Sequence, residues 1–140
     1  MIHFTYNTDF SLEHELAITD LLNTVAVSKE KSINKFFFYF VSEAKIQQVN
    51  NDHLSHDFVT DVITFDYSEG KEINAEAFIC PEEAFKNAKT YKQPHENEIV
   101  RLILHALLHV LGYDDKTEKK RKKMREQENR FLAAFNQKHK

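Results

Sequence analysis

Chain breakers are scarce in this sequence: two glycines, Gly70 and Gly112, and two prolines, Pro81 and Pro94, in 140 residues. So few of them exclude a linker or a collagen-like chain, and each marks a boundary or a backbone conformation that other residues disfavour. Cysteine occurs once, at Cys80, so no internal disulfide can form, and a reducing cytoplasm is the expected compartment. The formal net charge is only -3, which leaves no global field directing the chain to nucleic acid or membrane; such a partner must meet a local patch. The first ten residues lack a basic segment followed by an apolar one, the mark of a secretory signal. Long hydrophobic runs are missing too. The run over residues 99–111 is too short, and too interrupted by Arg101, His105 and His109, to span a bilayer, so it is expected inside the protein.

Tryptophan is absent, but twelve Phe and five Tyr supply the aromatic mass of a core. With 41% hydrophobic residues, the length fits one domain over residues 1–140. In "MIHFTYNT", Ile2, Phe4 and Tyr6 alternate with polar residues, the period of a half-buried strand. Ser11 is a candidate N-cap, and Leu12, Leu16, Ile18, Leu21, Leu22 and Val25 predict a helix to about Val27. The aromatic segment over residues 33–42 predicts a strand, and the next segment a short helix that fails at Asn50 and Asn51. Residues 61–68 and 75–80 predict a hairpin around Gly70. Helices are then expected over 82–89, from Pro94 to Gly112, and from Thr117 to about Asn136, the last docking by Met124, Glu128, Phe131 and Phe135. This order predicts an α+β fold with one central mixed sheet of about four strands packed with helices.

The stretch "LHALLHVLGYDD" (residues 104–115) places two histidines in an otherwise apolar run. Four residues apart on a helix, His105 and His109 lie on one face, where two imidazole nitrogens can reach one ion. A third ligand cannot come easily from the same face, so the chain must turn. Gly112 is placed to end the helix in a left-handed cap, and Asp114 and Asp115 follow on the returning segment. The spacing H-x-x-x-H-x-x-G-x-x-D shares the frame of the zinc-protease motif H-E-x-x-H-x-x-G-x-x-H, with Asp115 at the third-ligand place. Ala106 stands where the protease carries its glutamate, so proteolysis would lack its general base. A lone histidine on such a helix is most simply a satisfied core residue. The pair, the glycine and the carboxylate together weigh toward a metal.

"HALLHVLGYDD" resembles the H-G-x-L-H-L-x-G-Y-D-H signature of the YbeY family of bacterial endoribonucleases, which act in ribosomal RNA maturation. "TDVITF" is similar to that family's T-N-V-L-S-F strand and "AEAFIC" to its G-D-I-x-I-C strand, so the likeness spans roughly residues 33 to 115. The resemblance implies metal ligands at His105, His109 and, in place of a third histidine, Asp115, around one divalent ion, most simply zinc. It also implies a metal-dependent hydrolase that cuts single-stranded RNA. Two departures bear on chemistry. The added negative charge of Asp115 makes a bound water less acidic. In "NNDHLSHDFVT", Leu54 falls where the family's N-x-x-Y-R-x-x-D-x-P-T carries an arginine of the active cleft, and His56, two residues on, is the candidate catalytic substitute. The cleft itself is expected between the motif helix and a loop around His53 to Thr60.

The missing local patch is "KTEKKRKKMR" (residues 116–125), seven Lys or Arg against one Glu. Beside a metal site, Lys119, Lys120, Arg121, Lys122 and Lys123 are candidates to steer an RNA backbone inward. Cys80 reads as a buried strand residue with no nucleophilic role. The expected partners are ribosomal RNA and ribosomal or ribosome-assembly proteins, with neither a membrane nor a small organic cofactor. The rival reading is a ribosome-assembly factor that binds RNA around a structural metal without cutting it, and Leu54 favours it.

Overall fold

The computed structural model describes residues 1–54, 59–90 and 95–138, apart from the side chains of Thr90 and His95. The elements follow the expected order: β1 (Ile2–Tyr6), α1 (Glu15–Ser28), β2 (Ser32–Phe40), α2 (Glu43–Leu54), β3 (Val62–Asp66), β4 (Glu72–Ile79), α3 (Pro81–Thr90), α4 (His95–Val110) and α5 (Glu118–Lys138). The strands form one mixed sheet in the order β1-β2-β4-β3. β1 and β4 both run parallel to β2, and β3 pairs antiparallel with β4, setting Val62 opposite Ile79 and Asp66 opposite Ala75. The α+β expectation and the hairpin are therefore both found.

Strand geometry sends alternate side chains to opposite faces. On β2, Phe36, Phe38 and Phe40 are fully buried on the face that packs against α1 and α4, while Phe37 and Tyr39 are half-buried on the other. The second face has a smaller core in which Ile46 and Val49 of α2 meet Val41, Ile63 and Cys80. α4 is the most enclosed helix. It touches α1, α3, α5, β3 and β4, and Ile99, Val100, Ile103, Leu104, Ala106, Leu107 and Leu108 are all buried. Among the described residues no helix is long and apolar enough to cross a membrane; the apolar run lies inside the protein.

Several boundaries differ from expectation: β4 begins at Glu72, three residues ahead of Ala75, β2 and β3 each end two residues early, and two helix limits have a clear physical cause. α1 starts at Glu15, not after Ser11, because the Tyr6 hydroxyl accepts the Leu12 N–H at 3.2 Å and donates to Glu15 Oε2 at 2.7 Å, holding residues 11–14 as a strap. Its buried face is Ile18, Leu22, Val25 and Ala26, and Leu16, two residues off that stripe, is 84% exposed. α2 runs through Asn50 and Asn51 to Leu54, since burial of Ile46, Val49 and Asn50 against the sheet outweighs weak propensity. His53 is consequently helical, its ring edge against Phe65, and not a loop residue.

The end of α4 is as expected. Gly112 has φ +105°, its N–H donates to the His109 carbonyl at 3.1 Å, and the Tyr113 N–H donates to the Leu108 carbonyl at 3.0 Å. This is a Schellman closure with Gly112 in the left-handed position. Asp114 then accepts the Lys116 N–H, and Thr117 caps α5 by accepting the Lys120 N–H at 3.1 Å. A short, tightly bonded turn thus carries the chain from α4 to α5.

Two substitutions probe these local bonds. Gly112→Ala puts a Cβ on a left-handed residue and should lower stability by about 1–2 kcal/mol, read as a lower urea midpoint with an unchanged denaturant slope. Burial, aided by the hydrogen bond to Glu15, pushes the Tyr6 phenol up to about 12 from 10.0. Because the folded value is the higher one, the stability it contributes is complete below pH 10 and declines as pH rises toward 12. Tyr6→Phe should therefore be less stable than the parent by about 1 kcal/mol at pH 7, and the gap should close over that alkaline window in parallel urea titrations.

Candidate active-site cleft

Beyond its polar first turn, His95 to Asn97, α4 is apolar except for one stripe. Glu98, Arg101, His105 and His109 follow one another at spacings of three and four, so their side chains emerge along one line of the helix. Beside that line lies a cleft of about 370 Å³, walled by α4 and by Arg121, Met124, Arg125 and Glu128 of α5. Its far rim comes from Asp61 and Val62 at the start of β3 and Asn87 of α3. His105 and Asp115 both line it. α5 forms a wall that the sequence did not lead us to expect, and of the expected wall over residues 53–60, residues 55–58, His56 among them, fall outside the described residues.

The stripe is knit together by charge. Glu128, its side chain only 6% exposed, accepts from Arg101 Nη1 at 3.2 Å through one oxygen, and its other oxygen lies 2.8 Å from His105 Nδ1. Arg101 Nε sits 3.6 Å from Glu98 Oε1 as an ion pair without hydrogen-bond geometry. Burial disfavours the charged form of His105, yet the hydrogen bond and charge of Glu128, with Asp115 and Asp61 beyond, outweigh it and raise its pKa. Burial likewise pushes the Asp61 carboxyl up, while the nearby His105 pulls the other way, and Asn87 donates to Asp61 at 3.3 Å. Glu98 is raised by burial against the pull of Arg101 and Arg125. Four carboxylates and three guanidiniums share this small volume.

The residues singled out in the sequence separate into groups. His105 and Asp115 come together at the cleft, whereas His109, one turn on, is exposed and outside its lining. Among the described residues the set of ligand atoms lying within 4.8 Å of one another is Glu13, His14 and Glu96, near the start of α1, and the motif triad is not drawn in that far. The donor chemistry of the triad nonetheless suits a divalent ion. It offers two imidazoles and a carboxylate, and with His105 Nδ1 engaged by Glu128, Nε2 is the nitrogen left to ligate.

Within the basic stretch, Arg121 lines the cleft, its Nη1 donating to the Asp115 carbonyl at 3.2 Å, and Arg125 lines it one turn later. Lys119, Lys120, Lys122 and Lys123 are exposed away from it, Lys120 pairing with Asp114 at 3.4 Å. Leu54, at the end of α2, is 45% exposed and supplies no cation. Cys80 is buried, and burial raises its thiol pKa, which suits a structural role. Sequence reasoning passed over Asp61, Asn87, Arg101 and the site role of Glu128. The available signal was a carboxylate on the apolar face of a helix, at the one position of the 124, 128, 131, 135 stripe where burial demands a partner.

Comparison with known sequences gives one family. The family profile described as Endoribonuclease YbeY matches residues 4–136. A protein named Endoribonuclease YbeY from Flavobacterium johnsoniae is 38% identical over 135 residues, covering 96% of this chain and 97% of its own. Its namesake from Bacteroides fragilis is 39% identical over 119 residues, covering 85% and 86%. The solution structure of a Thermotoga maritima protein superposes with a TM-score of 0.69 at 26% identity, over 96% of this chain and 89% of that one. With a cleft built on the histidine helix and a family match along nearly its whole length, the chain belongs to the YbeY endoribonuclease family.

Proposed function

We propose that this chain is a metal-dependent endoribonuclease that cuts single-stranded RNA during ribosomal RNA maturation in the cytoplasm, with one divalent ion, zinc, held by His105, His109 and Asp115. One observation carries the reading: in a chain of the YbeY family, His105 and Asp115 line a single cleft together with two arginines of the basic helix. When bound, a divalent ion supplies Lewis acidity and a more acidic water.

The chain's own residues do the remaining work. Arg101 is already committed to Glu98 and Glu128, so it is a poor receptor for substrate. Arg121 and Arg125 are the guanidiniums left to hold RNA phosphates at the cleft. Lys119, Lys120, Lys122 and Lys123 extend a positive track along the outer faces of α5, suited to the backbone on either side of the cut. His56, outside the described residues, is the proposed catalytic substitute for the arginine that Leu54 replaces. The apolar body of α4 keeps water from behind the ligands and fixes their spacing better than a loop would.

Leu54 favours a second reading, a ribosome-assembly factor that binds RNA around a structural metal, because no guanidinium stands where the family arginine would. The two readings separate in one set of measurements. The parent protein should lose cleavage of single-stranded RNA in chelator and regain it with zinc, and a His105→Ala, His109→Ala double variant should lose both metal and cleavage. Full metal content in that double variant would sink the ligand assignment. Arg121→Ala with Arg125→Ala should keep its metal, raise KM at least tenfold, and flatten the dependence of log affinity on log salt by about 0.7 for each phosphate no longer neutralised. A metal-loaded parent that binds RNA with that salt dependence but never cuts it would make the assembly reading the better one.

A further inference from the structure

The proposed ligand set leaves Glu128 without a function, although it is among the few charged side chains in the core. It enters from α5 among Met124, Phe131, Leu132 and Phe135, where an apolar residue would pack without any desolvation penalty. The carboxylate instead crosses to α4 and meets two side chains one turn apart, Arg101 at 3.2 Å and His105 Nδ1 at 2.8 Å. Holding α4 against α5 does not require this arrangement, since the apolar neighbours already do so. A directed bond to one particular nitrogen of one histidine has a narrower consequence.

A carboxylate only accepts hydrogen bonds, so whenever the His105 ring is neutral its contact with Glu128 favours the proton on Nδ1 and the lone pair on Nε2. Free histidine side chains in water favour the opposite neutral tautomer, with the proton on Nε2, which blocks ligation through that atom. We propose that Glu128 is a positioning residue that sets His105 as the Nδ1–H tautomer and locks its ring, so that Nε2 is ready to take a metal before any ion arrives. Arg101 holds Glu128 in turn. Its Nη1 takes the second carboxylate oxygen, and its Nε lies 3.6 Å from Glu98, so the carboxylate is held between the two helices and aimed. The sequence Glu98–Arg101–Glu128–His105 therefore passes from α4 to α5 and back, making the ligand's orientation depend on how the two helices pack. The functional part of this inference rests on the reading of His105 as a metal ligand; the tautomer itself does not.

The test uses the full chain, with nitrogen NMR of His105 in metal-free protein at a pH where the ring is neutral, and a zinc competition titration. The parent should show a protonated Nδ1 and an unprotonated Nε2. Glu128→Ala should shift His105 to mostly Nε2–H and weaken zinc binding about 10- to 100-fold, whereas Glu128→Gln, whose amide oxygen still accepts, should keep the tautomer and recover part of the affinity. An Nε2–H tautomer in the parent would overturn the proposal even if Glu128→Ala failed to fold. So would a folded Glu128→Ala that lowers the urea midpoint while leaving tautomer and zinc affinity unchanged, as expected of a purely structural residue. His105→Ala separates the two claims: unchanged zinc affinity there refutes the ligand assignment, while the tautomer measurement still judges Glu128.

Discussion

Burial of α4 is the constraint on which the rest of the structure depends. A helix enclosed by three others and a sheet can carry polar groups only along the one line that its neighbours leave open, and there each group must find a partner. Glu98, Arg101, His105 and His109 occupy that line, and α5 answers it with Glu128, Arg121 and Arg125. The site is thus the place where the core's packing rule is relaxed. Its most buried charges, Glu98, Arg101 and Glu128, face one another, while Arg121 and Arg125 reach the cleft from the exposed part of α5.

The remaining elements serve to deliver side chains to this line. The antiparallel pairing of β3 with β4 is extended by one bond, the Cys80 N–H donating to the Asp61 carbonyl at 2.9 Å, and this holds the Asp61 side chain at the rim. Pro81 starts α3 immediately afterwards, in a helix position that needs no N–H, and one face of that helix brings Asn87 to Asp61. At the other end, the Gly112 closure and the Asp114 and Thr117 caps reverse the chain within a few residues, so that α5 returns alongside α4. A more open connection would not set Arg121 against the Asp115 backbone.

This packing also sorts the basic stretch. Seven Lys or Arg in ten residues look equivalent in the sequence, but a helix docked by Met124 and Glu128 must turn Arg121 and Arg125 toward the cleft and most of the lysines toward solvent. The guanidinium missing at Leu54 and the guanidiniums present on α5 therefore belong to one question of charge supply. What matters to an RNA phosphate is which cations reach the cleft unpaired, not how many the segment contains.

Local pattern determined a good deal by itself. Alternation in β1, β2 and the hairpin, helical spacing in α4 and α5, and the glycine closing the histidine helix are short-range signals, written within a few residues of where they act. The motif from His105 to Asp115 is of that kind, and so is the family likeness built on it. Where α1 begins and how far α2 runs were not legible, because the Tyr6 hydroxyl and the sheet-facing burial of Val49 and Asn50 arise from residues distant in the chain or on other elements. The pairing of Glu128 with His105 spans 23 residues and two helices. A carboxylate on an apolar stripe announces that it needs a partner, but which partner it finds is decided only when α5 packs on α4, because hydrogen bonds act over about three ångströms and sequence does not measure distance.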